Sequence, residues 1–354
     1  MGTDAPEMTK VFLQVMAGGS GTRFWPRSTS SHPKQLLELG AQGSLLRQTL
    51  ARFEGIVARE QTWILTTGAL EAAVRKDVGE GPRILAEPQA RNTAPCLFWA
   101  AKEAEKIDPN SVLLVMPSDH LIGDVVKFRA SVEQAIEWAS RRPELVTLGI
   151  RPTRPETGYG YLELGEPKSE ECVELRRFVE KPDLKRAKEF VDSGRYLWNG
   201  GMFIWKTSEI LRAFATHMPE MERAWQAWGG DGAKAYAQFT ATSIDFGVME
   251  KARNVVTFPI DCGWDDLGSW TSMEDLASRM GWTMPFGTRV AGEVVAVDSQ
   301  GCIVDAKDRL VALLGVEDLI VVSSGQALLV ARKDRAQDIR AIVDGVKKTR
   351  PELA

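Results

Sequence analysis

The sequence predicts an α/β fold: a mixed, mainly parallel sheet covered by helices, followed by a small β-rich tail. Three observations carry that expectation. Val11 to Ala17 is an apolar run of strand length, stopped abruptly by Gly18, Gly19 and Gly21. From there to Ile150, short apolar runs alternate with amphipathic ones, the pattern of strands joined by crossover helices. From Gly287 onward, short β-type runs separated by turn residues replace that alternation.

Composition bounds the function. A chain of 354 residues, 44% of them hydrophobic, can bury one large core and carry an appendage. Its net charge of −4 offers no general attraction to nucleic acid or to an anionic membrane, so any cationic site has to be local. Cys96, Cys172, Cys262 and Cys302 lie far apart and there are only 3 histidines, which argues against a zinc site or a disulfide framework. A reduced, cytoplasmic setting is expected. Met1 to Lys10 is polar, and the apolar run behind it is too short for a signal peptide or a membrane span.

The opening strand and its glycines form the first functional element. Glycines let backbone N–H groups curl around an anion with no Cβ in the way. Thr22, Arg23 and, beyond Pro33, Lys34 follow, and two fixed cations beside a bare loop suit a triphosphate. The loop is not a Walker A motif, because Gly21 is followed by Thr22 and Arg23 rather than Lys-Ser/Thr. Nor is it a dinucleotide fingerprint, which wants Gly or Ala where Phe24 stands.

Gly18-Gly19-Ser20-Gly21-Thr22-Arg23-Phe24-Trp25-Pro26 with Pro33-Lys34-Gln35 resembles the signature of sugar-1-phosphate nucleotidyltransferases. The Phe-Trp-Pro and Pro-Lys-Gln spelling resembles the mannose-1-phosphate guanylyltransferases in particular. The resemblance implies a Rossmann-like (GT-A-like) nucleotidyltransferase domain over residues 8–280. Its substrates would be GTP and mannose 1-phosphate, its products GDP-mannose and pyrophosphate, and its cofactor Mg²⁺. Other guanylyl acceptors, such as fucose, heptose or glucose 1-phosphate, stay open within that class. The alternative from another class is a non-catalytic sugar-nucleotide sensor, which could lose Arg23, Lys34, Asp119 or Asp266, whereas this chain has all four.

The remaining elements follow in order. Ser44 reads as the N-cap of a helix carrying Leu45, Leu46, Thr49, Leu50 and Phe53 on one face. Strands are expected at 62–66, 83–86, 112–116 and 145–150, and helices at 69–77, 93–106 and 125–141. Ligands in such sheets sit at the carboxyl ends of the strands. The loop from Glu87 to Pro95 lies at one such end; Asn92 or Thr93 can cap the next helix there. The resemblance adds a purine-reading role, with Glu87 as the acceptor for the guanine N1–H and amine, and Asn92 and Thr93 beside GTP.

The run 112–116 is wholly apolar and leads through Pro117 and Ser118 to Asp119, a carboxylate that is costly to bury without a cation. Asp119 therefore reads either as a magnesium ligand or as a cap for the next helix. His120 is assigned no ligand role. Glu156 to Tyr161, Phe178 to Pro182 and Leu197 to Phe203 mix glycines, aromatics and sparse polar groups, which suits a sugar. The resemblance places Gly160, Glu180 and Asn199 around the ring, Lys181 on the sugar phosphate and Asp245 near the same pocket. Glu180 and Lys181 also read as a surface ion pair. Asp183 to Val191 reads as an exposed helix, and Trp225 and Trp228 as packing residues.

Gly263 to Trp270 supplies a second acidic loop, and the family pattern Trp-x-Asp-x-Gly selects Asp266 over Asp265 as the second metal ligand; a helix cap is the other reading. Beyond it, β-type pieces at 290–297, 302–304, 310–314, 319–322 and 327–330, then a helix at 333–348, resemble the family's short left-handed β-helix-type tail. Residues 287–354 would form that tail, often an assembly surface, so a homodimer is expected. The tail is too short for the isomerase domain of longer relatives. No Ser/His/Asp or Cys/His nucleophile set is present, which fits direct in-line transfer. In that scheme Arg23 holds the pyrophosphate, Lys34 the nucleotide phosphates and Lys181 the nucleophile.

Overall fold

Strand alternation organises the molecule. In β1 (Val11–Met16) Phe12 joins the core on one face of the sheet and Leu13 and Val15 the core on the other. The computed structural model describes residues 9–19, 21–39 and 43–354, with the backbone alone at 278–280; Ser20 of the glycine loop lies outside the described residues. β2 (Thr62–Thr67), β3 (Arg83–Glu87) and β4 (Val112–Pro117) pair in parallel around β1, as the alternation predicts. The sheet continues with β5 (Leu145–Ile150), β6 (Tyr161–Pro167), β7 (Val173–Val179), β8 (Tyr196–Lys206) and β9 (Val255–Ile260). Its order is β3-β2-β1-β4-β8-β5-β9-β7-β6, with a further β6–β8 pairing. Only β7 and β8 run against the rest, so the sheet is mixed but mainly parallel.

Helices α1 (Leu45–Ala51), α2 (Glu71–Val78), α4 (Val125–Arg141) and α5 (Leu184–Ser193) cover one face. On the other lie α3 (Thr93–Glu105), α6 (Thr207–His217), α7 (Pro219–Ala227) and the short α8 (Gly232–Tyr236). The Ser44 hydroxyl accepts from Arg47 N, as an N-cap should. Three expectations are corrected. α5 is not simply exposed: Ala187 and Phe190 are buried, and Phe190 stacks on Tyr196. Trp225 packs in the core, but Trp228, after the last turn of α7, is 46% exposed. The pieces at 302–304 and 310–314 are one strand.

After α9 (Ser272–Met280) come β10 (Thr283–Met284), β11 (Gly287–Val297), β12 (Cys302–Leu314), β13 (Leu319–Ser324) and β14 (Ala327–Arg332). Gly287 pairs with Cys302, Glu293 with Leu310 and Ile303 with Ile320, all in parallel. Parallel neighbours normally need a long crossover; here short turns suffice because the chain bends at two register shifts in β11 and coils back over itself. The helix expected at 333–348 opens instead as a 3₁₀ segment (Lys333–Asp338), which leads into α10 (Ile339–Thr349). We propose the domain junction just after α9, since β10 already pairs with β11.

The tail is joined to the signature loop. Phe24, Trp25, Leu37 and Trp270 share one buried cluster with Ile303, Ile320, Ile339 and Val343. Arg27 clamps Asp305 with two bonds of 3.0 and 2.8 Å, and Trp25 Nε1 donates to Leu353 O at 2.7 Å. Among the described residues no helix is long and apolar enough to cross a membrane.

Candidate active site

The carboxyl ends of β1, β3, β4 and β9 place Gly18, Glu87, Asp119 and Asp266 along one edge of the sheet. β8 runs the other way, and its Asn199 pairs with Gly149 near the carboxyl end of β5. Segments far apart in sequence therefore meet because the strands, not the loops, fix their positions.

Lys34 is the hub. Its ammonium donates to Asp119 Oδ2 at 2.8 Å and to the Asp266 carbonyl at 2.5 Å. Gly21 makes this possible: it has φ 57, and a Cβ there would fall 2.2 Å from Lys34 Cβ, so the loop lies directly against the lysine. Burial opposes the charge on Asp119, but the Lys34 ammonium outweighs it and holds the carboxyl below its usual range. Asp119 is not a helix cap; Asp124 fills that role for α4. Arg23 feels both Asp266 and Asp119, yet burial and the nearby Arg340 pull its pKa down, and its guanidinium donates to Gln337.

His120 is structural. Burial brings its pKa down to about 4, leaving it neutral, and Nδ1 accepts from Trp264 Nε1 at 3.1 Å. Asp265 and Asp266 have separate tasks. The Asp265 side chain accepts from Leu267 N at 2.7 Å, and burial raises its pKa to about 6. Asp266 Oδ1 accepts from Tyr159 OH at 2.6 Å and lines the cleft. Neither acid caps α9, whose N-terminus has no side-chain cap.

That cleft, of about 200 Å³, is lined by Thr93, Gly160, Glu180, Asn199, Asp245 and Asp266, six of the residues expected from sequence. Asn199 Nδ2 donates to Asp245 Oδ1 at 2.9 Å. Burial, then repulsion from Glu180, raises the Asp245 pKa to about 6. Gly160 has no room for a side chain, because a Cβ would lie 2.6 Å from Glu180 Oε2. Lys181 stands at the rim with φ 44, its side chain 62% exposed and its ammonium 2.6 Å from Glu180 Oε1. Its expected contact with a sugar phosphate would exchange that pairing.

On the opposite side, Glu87 is buried beside Gly18, whose Cβ position lies 3.4 Å from Glu87 Oε1. Burial raises the Glu87 pKa to about 7, against the hydrogen bond it accepts from Tyr236 OH. Asn92, with φ 68, is exposed and caps α3 by accepting from Thr93 N; Thr93 Oγ1 accepts from Ile244 N at 2.8 Å. Gly19 and Thr22 lie in the loop, and the Cβ position of Gly19 meets open space. Sequence reasoning missed Tyr236, Gln337 and Arg340, none of which belongs to a motif. Tyr159 stood inside a quoted motif, yet its bond to Asp266 required the fold. Among the described residues, no group of three His, Cys, Asp or Glu side chains is arranged to hold an ion.

The chain is similar to known proteins over most of its length. The family model for nucleotidyl transferases matches residues 14–281, and that for the MannoseP isomerase/GMP-like beta-helix domain matches residues 292–346. The xanthan biosynthesis protein XanB of Xanthomonas campestris pv. campestris is 38% identical over 96% of this chain and 74% of its own. A mannose-1-phosphate guanylyltransferase of Escherichia coli is 34% identical over 96% of this chain and 74% of its own. A crystal structure from Thermus thermophilus, described as a mannose-1-phosphate geranyltransferase, is 37% identical with a TM-score of 0.87, covering 96% of this chain and all of that one. With residues 14–281 matched by that family model and relatives 34–38% identical over 96% of its length, the chain belongs to the nucleotidyl transferase family.

Proposed function

We propose that this chain transfers GMP from GTP to α-D-mannose 1-phosphate, giving GDP-mannose and pyrophosphate. A phosphate oxygen of the sugar attacks the α-phosphorus of GTP, and the bond to the β-phosphate oxygen breaks in line. The observation that carries this reading is the Lys34 hub: one buried cation tied to Asp119 and Asp266, between the glycine loop and the sugar-side cleft. Guanylyltransferases of this name among the relatives support the choice of substrates.

The main obstacle is repulsion between two anions, so the residues act by positioning and by charge. Gly18, Gly19, Gly21 and Thr22 line the triphosphate, with Arg23 on the departing pyrophosphate and Lys34 on the nucleotide phosphates. Glu87, when ionised, accepts from the guanine N1–H and amine, and Asn92 and Thr93 border the nucleotide. Glu180, Asn199 and Asp245 bond sugar hydroxyls, Gly160 lets the ring approach, and Lys181 turns from Glu180 to the sugar phosphate. The nucleophile is already ionised and needs no general base, which fits a neutral His120.

Asp119 and Asp266 fit Mg²⁺, which commonly takes one or two carboxylates and fills its shell with phosphate oxygens and water rather than a protein cage. When bound, the ion would neutralise phosphate charge in the transition state. A cytoplasmic setting belongs to the same reading, in accord with four free cysteines. So does a homodimer through the tail, where Val295, Val297, Leu310 and Leu314 are at least half exposed on neighbouring β11 and β12. Incubating the chain with GTP, mannose 1-phosphate and Mg²⁺ should yield GDP-mannose and pyrophosphate in equal amounts. Pyrophosphate release without a nucleotide sugar would refute the proposed transfer.

A further inference from the structure

A larger cleft lies away from the catalytic edge. It measures about 650 Å³ and opens between α1, α2 and the start of α4. Arg47, Arg52, Arg59 and Lys76 line it, against Glu54 and Asp77 alone among acids. This cationic excess is local, since the whole chain carries −4. Asp77 is already engaged, by the Ser44 hydroxyl at 2.6 Å and by Arg47 at 3.3 Å.

Arg52 is the unusual member. It is only 7% exposed, yet among the described residues its guanidinium has no carboxylate partner. Two donors are satisfied, by Thr49 Oγ1 at 3.2 Å and His120 O at 3.0 Å, both neutral acceptors. Burial draws its pKa down to about 10, with only the Cys262 thiol opposing. Neutral donors would serve those two acceptors equally well, and a buried charge without a counter-ion is costly. A counter-ion arriving from the cleft removes that cost. Arg59 and Arg47 donate to the carbonyls at the C-terminal end of α2, to Val78, Glu80 and Asp77, so those negative dipole ends are covered. Lys76 is exposed and has no hydrogen-bond or ion-pair partner among the described residues.

We infer that this cleft binds a phosphorylated small molecule, whose phosphate meets Arg52 at the wall and Lys76 at the mouth. The volume falls in the range of ordinary small-molecule sites and exceeds what a lone phosphate fills. Leu50, Ile122 and Val125 supply apolar wall for the rest of the ligand. The site also has a physical link to the chemistry. Arg52 holds the carbonyl of His120, the residue next to Asp119, so drawing the guanidinium toward a phosphate would alter the support of the catalytic loop.

Isothermal titration of the full chain tests this with two probes, inorganic pyrophosphate and GDP. Both also meet the catalytic edge, so the signature is a second binding event, present in the wild type and weakened about tenfold or more in Lys76→Glu. That factor is what losing one charge-assisted contact implies. The catalytic-site event and the basal turnover stay unchanged in Lys76→Glu, because Lys76 touches neither. A second event with both probes means that the phosphoryl group suffices; one with GDP alone means a nucleoside phosphate. Arg52→Lys should weaken the same event; were that variant to unfold, Lys76→Glu decides alone. A single event for both probes in the wild type, or two events untouched by Lys76→Glu, overturns the inference.

Discussion

Glu87, the residue proposed to read the guanine edge, is buried, and in that role it would set nucleotide choice and pH dependence together. Its folded pKa, raised to about 7, lies above the ordinary carboxylate value, so the protonated form favours the folded state. That contribution is complete below the ordinary value and is lost as pH rises through about 7. Guanine requires the ionised form, so GTP affinity should rise between about pH 6 and 8 while ATP affinity stays flat. Calorimetry at several pH values measures this, and Glu87→Gln should flatten the GTP profile and weaken GTP more than ATP. Equal losses for both nucleotides would remove Glu87 from base recognition. At the two acids proposed to hold Mg²⁺, Asp119→Asn and Asp266→Asn should each lower kcat by about 10²–10³, as loss of a charge-stabilising contact does elsewhere. Asp265→Asn should keep most activity, since an amide oxygen can still accept from Leu267 N. Loss of activity in Asp265→Asn alone would reverse the assignment. The motif selects Asp266; in three dimensions its carboxylate faces the cleft, while that of Asp265 accepts from Leu267 N within its own loop, a difference that no local pattern displays.

At the level of elements, the signature loop depends on the tail. Arg27 is mostly buried and Asp305 fully so, and their two bonds join the residue after the Trp25-Pro26 pair to the first part of β12. Removing one partner leaves the other charge buried, so Asp305→Ala should destabilise the chain by about 3 kcal/mol. Chemical denaturation measures it, and replacing both residues by apolar ones should recover much of the loss. A neutral Asp305→Ala would show that the pair does not hold the loop. Elements with strong local signals were legible in advance. The expected bounds of α4 and β5 agree with the structure, because a long amphipathic stretch and a continuous apolar run have few competing readings. The reversed direction of β7 and β8 was not legible, since strand direction depends on pairing rather than on local periodicity. For the same reason the two short tail pieces merged into β12 only when its parallel partner β11 was in place.

At the level of the whole molecule, the site is assembled from strand ends in one half and braced by a coil at the other end of the chain. Gln337 and Arg340 reach Arg23 from the tail, and Phe24 and Trp25 are buried with tail residues. Removing residues 287–354 should therefore expose that apolar cluster and lower thermal stability and turnover together, as a melting curve and an activity assay would show. A truncated chain with full activity would make the tail dispensable for catalysis. The motifs revealed which residues belong to the edge; they could not reveal a contact between positions 23 and 337, because nothing local connects them. The central claim is guanylyl transfer to mannose 1-phosphate. The measurement that tests it most directly is kcat/KM for GTP, ATP and UTP, each against mannose, glucose and fucose 1-phosphate, with Mg²⁺. The account predicts a sharp maximum at GTP with mannose 1-phosphate, abolished by EDTA; a maximum at another pair, or no turnover at any, would contradict it.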